Sequence, residues 1–256
     1  MDRRRSSAAA TVVLAVAVVL APGWLAALAG LSLLGIAAWW ARRDGVRSSG
    51  AVAAVTWGCV GLAGALSFGV VWPIPQAIGL VVAAAALGRA GVRAPRWIQP
   101  GTADRLTSAL AIATVPATTA ALVAFIASGR TDLEAATEGL DQLPTWTLPA
   151  VGVGFAIVNP TVEEVLFRGV LHELLVEVTH RPTVAIVGSS VAFGAIHLAG
   201  VPGGPLGMVM AAGWGAVLGV VRHRSGSIHL PWLVHVAANA TIFTTITVLA
   251  VRDGVL

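Results

Sequence analysis

Long apolar runs separated by short polar connections make up most of the chain. An α-helix that crosses the hydrocarbon layer of a bilayer needs about 20 mostly apolar residues, and several runs reach or approach that length. The nine predicted spans are Ala8–Ala21, Trp24–Trp40, Ala51–Trp72, Gln76–Leu87, Leu106–Ser128, Leu148–Arg168, Thr183–Ala199, Pro205–Val221 and Ile228–Val251. If the first two runs form one helix broken at Pro22-Gly23, the count is eight. The pattern predicts an all-α fold, a polytopic membrane helix bundle.

The composition supports the membrane class and argues against a soluble protein. Of the 256 residues, 57% are hydrophobic and only 11% are charged, whereas soluble domains carry about 25% charged residues. So few charges cannot solvate a globular surface of this size, and the surplus apolar sequence must face lipid. The lipid bilayer is therefore an expected partner of the chain.

The arginines predict the orientation of the spans, because cytoplasmic loops of membrane proteins are enriched in basic residues. A hairpin at Pro22-Gly23 brings Arg3–Arg5 to the same side as the cluster Arg42–Arg47. Continued along the chain, this arrangement leaves only Arg130 and Arg252 outside, among sixteen basic residues. We therefore expect an integral membrane protein of a bacterial plasma membrane, with a cytoplasmic N-terminus and an external C-terminus.

The basic residues also allow two other interpretations. The net charge of +4 does not indicate a nucleic-acid partner, because no basic stripe or base-reading motif accompanies it. Arg3–Arg5, the apolar run behind them and Ala27-Leu28-Ala29 also resemble a cleavable secretory signal. Cleavage there would leave only Gly30–Trp40 as the apolar remainder, which is too short to span.

Ionisable residues inside the apolar runs occur in the last four predicted spans. At the centre of a membrane helix such a residue costs about 3 kcal/mol or more, and it usually faces an interior cavity. The sixth span carries Glu163, Glu164 and Arg168. Glu164 and Arg168 are four residues apart and can pair, whereas Glu163 lies about 100° further round the helix.

The seventh span carries His197, and the ninth carries His235 and Asn239 on one helical face. Taken singly, such residues are ordinary: a charge cluster at the water boundary, a satisfied histidine, or hydrogen bonds between helices. Together with Glu163 they offer a carboxylate base, two imidazoles and an amide donor. That set can activate water and stabilise a tetrahedral oxyanion. Glu163, His197 and His235 would also suit a catalytic zinc ion.

Three ordered motifs carry a family resemblance. Glu163-Glu164-x-x-x-Arg168, Phe193-x-x-x-His197 and His235-x-x-x-Asn239 follow one another on successive predicted spans. This order resembles the signature of the CAAX prenyl protease/Abi (CPBP) family of intramembrane endopeptidases. The resemblance runs from about Leu148 to Phe243 and implies two regions: residues 1–147, a variable region of about five spans, and residues 148–256, the catalytic transmembrane region.

The resemblance also implies roles for the site residues. Glu163 would activate water with His197, His235 and Asn239 would bind the oxyanion or a metal, and Glu164 and Arg168 would position the first helix. The substrate would be a membrane-associated peptide or protein, with or without a prenyl group. Zinc is the cofactor that a metalloprotease of this family would use, and a glutamate-only mechanism is the alternative.

Two other functions remain open at this stage. A bacteriocin-immunity or binding protein could keep the fold and the motifs without catalysis. A transporter could use the charged cluster as a proton or ion relay, although no inverted repeat is apparent.

Two details of the pattern fit less well. His172-Glu173 resembles the start of a zincin motif, but position 176 is Val176, so we predict an interfacial helix surface there. In addition, His197 lies about 21 Å beyond Thr183 along a straight helix, whereas Glu163 is predicted near the cytoplasmic end of its span.

Overall fold

Helices form the framework of the protein. A computed structural model describes residues 3–20, 23–66 and 73–256, and within these ranges it contains no β-strand. The α-helices are α1 (Arg3–Leu20), α2 (Gly23–Asp44), α3 (Ser49–Ala65), α4 (Ile74–Arg89), α5 (Arg105–Phe125), α6 (Leu133–Ala136), α7 (Leu148–Glu163), α8 (His172–Thr179), α9 (Pro182–Ile196), α10 (Gly204–Ser225) and α11 (His229–Arg252). The all-α prediction is confirmed.

Each predicted span coincides with a helix, but not every helix is long enough to cross a bilayer. Five helical stretches qualify by length and composition: Gly23–Asp44, Arg105–Arg130, Thr145–Thr179, Gly204–Ser225 and His229–Arg252. Four apolar helices are shorter: Ser6–Leu20, Ser49–Ala65, Ile74–Arg89 and Pro182–Ile196. The chain is therefore an integral membrane protein, while the choice between nine and eight crossings stays a prediction. The predicted hairpin turn at Pro22-Gly23 falls in part on residues outside the described ranges.

The sixth predicted span is longer than the sequence indicated. α7 continues through a π-helical segment, Glu164–Leu171, directly into α8. The span was predicted to end at Arg168 because charged side chains usually mark the water boundary. In the structure Glu164 and Arg168 are both buried and paired, so they can lie within the bundle. Glu163 consequently lies near the middle of the 145–179 stretch, and it lines the same cavity as His197.

The predicted interfacial surface at His172-Glu173 is wrong for the histidine. His172 is only 1% exposed, because α8 turns this side of the helix into the bundle. The Glu173 side chain is half-exposed and pairs with Arg222, with Nη2 and Oε2 3.3 Å apart.

The N-terminal helices pack directly against the helix that carries the two glutamates. α2 and α3 form the closest pair of this half, and α4 packs on α3. Trp57 of α3 meets Phe167 edge to face with ring centroids 5.4 Å apart, and Phe167 meets Phe193 in the same way at 5.4 Å. This aromatic row joins the N-terminal half to α9 through one buried core.

One end of the bundle is closed by the connection between α4 and α5. The Trp97 carbonyl accepts a hydrogen bond from Ile228 N at 3.0 Å, and the Trp97 ring packs against Gly169. A Cβ at Gly169 would lie 2.6 Å from that ring, so only glycine permits this contact. The connection therefore seals the bundle between the π-helical segment and the start of α11.

Asp104 begins α5 at this same end. Its carboxylate caps the helix by accepting from Thr107 N at 2.8 Å, and Arg224 Nη2 lies 2.6 Å from its other oxygen. The Thr107 hydroxyl and backbone N–H, together with Arg224, lower the pKa of Asp104 to about 2. The arginine pattern predicts Arg222 and Arg224 on the same side of the membrane as the α4–α5 connection. In the structure they lie at the same end of the bundle as that connection.

We expect Gly79→Ala in α4 to destabilise the N-terminal half. A Cβ at Gly79 would lie 2.7 Å from Val60 Cα and 2.9 Å from the Cys59 carbonyl oxygen, so α4 must move away from α3. Overpacking of this kind costs about 1–3 kcal/mol, which should appear as a lower apparent Tm in detergent. Gly88→Ala in the same helix is the control, because nothing lies within 4 Å of its added Cβ; equal Tm values for the two variants would contradict the close α3–α4 contact.

Candidate functional site

The adjacent glutamates Glu163 and Glu164 lie where α7 passes into its π-helical segment. Their side chains have different surroundings. Glu163 is 4% exposed and lines an internal cavity. Glu164 is fully buried, and its Oε1 lies 3.0 Å from Arg168 Nη1, the pair that the four-residue spacing predicted. A π-helical turn is often found at functional sites, and here it lies where the two carboxylates separate.

Arg168 is completely buried behind the cavity. Its guanidinium lies over the Phe193 ring at 4.2 Å from the centroid, a cation–π arrangement that compensates part of its lost hydration. Gly215 of α10 makes room for this packing, since a Cβ there would lie 3.1 Å from Arg168 Nη2. The arginine is therefore held by a carboxylate on one side and an aromatic face on the other.

His235 of α11 bridges the two glutamates. Its Nδ1 hydrogen-bonds Glu164 Oε1 at 2.8 Å, and its Nε2 lies 3.1 Å from Glu163 Oε2. An ionised carboxylate only accepts hydrogen bonds, so these contacts are satisfied when both ring nitrogens carry protons. The imidazolium and Arg168 then balance the charges of the two carboxylates, which a buried cluster requires.

His197 has a different hydrogen-bonding state at the C-terminal end of α9. Its Nδ1 lies 2.9 Å from the Phe193 carbonyl oxygen. Because a carbonyl can only accept, Nδ1 is the donor, and in the neutral ring Nε2 keeps its lone pair. The ring packs on Phe193 with centroids 4.5 Å apart, which fixes its orientation.

The cavity brings the predicted residues together. It has a volume of about 1100 Å³, and Glu163, His197, His235 and Asn239 all line it. Asn239 is 3% exposed, and its Nδ2 has no hydrogen-bond partner among the described residues. An unpaired buried donor costs about 1–3 kcal/mol, so this amide is available to a bound molecule. Glu164 and Arg168 are not among the lining residues and support the site from behind.

The rest of the cavity wall is mostly apolar. α5 contributes small side chains at helical spacing, and α7 and α11 contribute aromatic and branched ones. Representative lining residues are Ala113, Ala117, Ala121, Phe155, Ile242 and Phe243. The N-terminal helices also reach the cavity, through Val19, Leu20 and Gln76. Residues 1–147 therefore form part of the chamber, although the structure does not test the proposed division into two regions.

Several polar or amphipathic residues of the cavity wall carry no predicted role, among them Asn159, Gln76 and Trp214. Asn159 is buried and lies one helical turn before Glu163, whereas Gln76 and Trp214 are half-buried. For Asn159 a signal existed, since an amide inside an apolar span four residues before Glu163 shares its helical face. Gln76 and Trp214 had no comparable signal, because their position depends on how α4 and α10 pack.

Zinc held by Glu163, His197 and His235 stays a prediction. Within the part of the chain that the structure describes, no three His, Cys, Asp or Glu side chains are grouped so that they could hold a metal. The ring nitrogens of His235 lie beside Glu164 Oε1 and Glu163 Oε2. An Nδ1–H that donates to Glu164 would leave the lone pair of Nε2 for a ligand bond to a metal.

We expect Arg168→Met to destabilise the protein strongly, because it leaves Glu164 buried beside an apolar side chain. Removing one partner of a buried ion pair costs about 3–5 kcal/mol. The double variant Glu164→Gln with Arg168→Met should recover part of that loss, since no unpaired carboxylate remains. Unfolding by detergent titration measures both effects, with Arg252→Met, which breaks an exposed pair with Asp253, as the control. A double variant no more stable than Arg168→Met would contradict the charge argument.

Comparison with known proteins agrees with the site geometry. Residues 145–241 match the family model of the Rce1-like type II CAAX prenyl endopeptidases, a protease family. Searches of curated protein sequences and of solved structures gave no significant match. The matched region covers less than half of the chain and contains Glu163, Glu164, Arg168, His197, His235 and Asn239. The resemblance of the C-terminal region to the CAAX prenyl protease/Abi family is thereby confirmed, over residues 145–241 of this chain.

Proposed function

We propose that this protein is an intramembrane endopeptidase that hydrolyses a peptide bond in a membrane-associated peptide or protein. The observation that carries the proposal is the shared cavity of Glu163, His197, His235 and Asn239. It lies within the region that matches a protease family. We further propose a bacterial plasma membrane as its location, with the N-terminus in the cytoplasm.

In the proposed reaction Glu163 is the general base. Its carboxylate removes a proton from a water molecule while the water oxygen attacks the carbonyl carbon of the scissile peptide bond. His197 assists by accepting a hydrogen bond from the same water at Nε2, the ring nitrogen that the Phe193 carbonyl leaves free. A base held within hydrogen-bond reach of the water contributes about 10²–10⁴-fold to the rate.

The attack converts the carbonyl into a tetrahedral intermediate with a negative oxygen. The unpaired Nδ2 of Asn239 donates to this oxyanion, which stabilises it in surroundings that hold little water. When the intermediate collapses, the C–N bond breaks and Glu163 transfers its proton to the departing amine. The acyl product leaves as a carboxylic acid, whose proton passes to the amine, so the final products are a carboxylate and an ammonium group, and Glu163 is again ionised.

His235, Glu164 and Arg168 act through Glu163 as positioning residues. His235 Nε2 lies 3.1 Å from the Glu163 carboxylate and holds it, while Glu164 and Arg168 hold His235. This differs from the role that the resemblance implied for His235, because both of its N–H groups are engaged by carboxylates. The oxyanion must then rely on other donors.

The chamber supports a substrate with apolar side chains. Its wall is formed mainly by alanine, valine, leucine, isoleucine and phenylalanine side chains, which favour apolar groups by the hydrophobic effect. A transmembrane or lipid-anchored peptide, with or without a prenyl group, meets this requirement.

Glu163→Gln tests the proposal most directly. The amide keeps the size of the side chain but cannot take the proton, so we expect cleavage to fall by at least about 10³-fold. Cleavage of a membrane-peptide library by purified protein in detergent, read by mass spectrometry, measures it. Glu173→Gln, which changes a half-exposed carboxylate of the same continuous helix, is the matched control and should retain activity.

The same assay separates catalysis from the alternatives. Cleavage activity that survives Glu163→Gln would contradict the mechanism. A well-folded wild-type protein that binds a peptide but never cuts it would favour the immunity or binding function. Activity that is lost with chelator and restored by zinc would require a metal in addition to the residues named here.

The two ring nitrogens of His197 can be tested separately. In His197→Asn the side-chain amide replaces Nδ1, which preserves the bond to the Phe193 carbonyl but removes the Nε2 acceptor. In His197→Gln an amide atom stands close to the Nε2 position. We expect kcat of the glutamine variant, measured at saturating peptide, to be at least about 10-fold higher than kcat of the asparagine variant. The reason is that only glutamine replaces the interaction made at Nε2, and the difference corresponds to one general-base interaction. The reverse order would show that the bond at Nδ1 matters more than the free nitrogen.

A further inference from the structure

An unpaired indole N–H lies beside the proposed reaction centre. Trp214 of α10 lines the cavity, and its ring meets the His235 imidazole edge to face, with centroids 4.7 Å apart and planes at 84°. Its Nε1 is buried and has no acceptor among the described residues. An indole nitrogen is a donor only. Because Trp214 lines the cavity, a bound molecule that offers an acceptor can satisfy this donor.

Asn239 presents a second donor of the same kind. It lies one helical turn after His235 on α11, and its Nδ2 is likewise buried and unpaired in the described chain. Trp214 and Asn239 thus approach the surroundings of His235 from two different helices. His235 itself offers no free donor, because both of its N–H groups face carboxylates.

We propose that Trp214 Nε1 and Asn239 Nδ2 together bind the oxyanion of the tetrahedral intermediate. The inference rests on the proposed function and names a catalytic residue that neither the motifs nor the family match selects. When water attacks, the π electrons of the carbonyl move to its oxygen, and both N–H groups donate hydrogen bonds to the resulting anion. No proton is transferred from either donor, and the bonds weaken again when the carbonyl re-forms and the amine departs.

The packing of α10 fixes the indole in place. Gly215, the next residue, lets α10 approach Arg168 and Phe193 closely, and the Trp214 ring centroid lies 5.9 Å from that of Phe193. Ring contacts on its faces and edges therefore orient the indole, and its N–H stays available for a hydrogen bond to a bound molecule. A preorganised donor of this kind needs no reorganisation when charge develops on the substrate.

The chain provides a matched control for this donor. Among the described residues, Trp40, Trp57 and Trp214 have buried indole nitrogens without an acceptor, but Trp40 and Trp57 do not line the cavity. Trp57 is fully buried and packs edge to face on Phe167. Trp57→Phe therefore removes an equivalent N–H and an equivalent part of a buried ring that does not face the cavity.

The test compares Trp214→Phe with Trp57→Phe in purified protein. Phenylalanine keeps a ring beside His235 but cannot donate, so we expect kcat to fall by about 10²–10³-fold, the loss typical of one oxyanion donor. KM should stay within about threefold, because the bond forms only in the transition state. In Trp57→Phe both constants should stay within about threefold of wild type, on the same reasoning.

A binding measurement separates a donor from a structural role. A peptide phosphonate carries a tetrahedral anion that imitates the intermediate, and its inhibition constant should rise in Trp214→Phe by the same factor as kcat falls. Affinity for an uncleaved substrate peptide should be equal in Glu163→Gln and in Glu163→Gln with Trp214→Phe. Equal weakening of the phosphonate and the substrate would mean that Trp214 only shapes the pocket, and would overturn the proposal.

The remaining outcomes distinguish this inference from the function on which it rests. If Trp214→Phe keeps wild-type kcat and phosphonate affinity while Glu163→Gln abolishes cleavage, Trp214 is not an oxyanion donor and the protease function stands. If the wild-type protein shows no Glu163-dependent cleavage, the proposed function and this inference both fail.

Discussion

The buried charges of Glu163, Glu164, Arg168 and His235 are the constraint on which the site depends. Charges inside a bundle of apolar helices lose their hydration, and each needs a partner of opposite sign with good geometry. Arg168 and His235 lie 2.8 to 3.1 Å from the two carboxylates. With a proton on both ring nitrogens of His235, two positive charges meet two negative ones, and a neutral group of this kind can remain beside an apolar chamber.

The same constraint explains why α7, α9 and α11 are held in a fixed relation. Glu164 is bonded to its own helix through Arg168 and to α11 through His235, while Arg168 packs on Phe193 of α9. A shift of any of these helices would leave a buried charge unpaired. The arrangement therefore fixes Glu163 at the cavity wall through the contact of its Oε2 with His235. In the reaction proposed above, a base whose orientation is set before the substrate arrives favours hydrolysis of an amide bond.

The N-terminal helices form part of the cavity wall and pack behind the residues that carry the charges. They lack the charged residues of the site, but Trp57 supports Phe167, and Phe167 supports Phe193 beneath Arg168. Val19, Leu20 and Gln76 reach the cavity itself. The region that carries no recognisable motif thus contributes both packing behind the charges and part of the surface that a substrate would meet.

The sequence by itself determined the helical membrane class, the approximate position of every long helix, and the polar residues that the structure brings together at or behind one cavity. Apolar run length reports the need to satisfy backbone hydrogen bonds in lipid, and the ionisable residues inside such runs are conspicuous because their burial is costly. Only the tertiary structure decided that α7 continues past Arg168, because paired charges need not reach water. It also decided that His235 bridges both glutamates, and that Trp214 and Gln76 face the cavity. Those features depend on which faces of helices far apart in the sequence meet. The pattern of apolar and polar residues along one sequence does not specify those contacts.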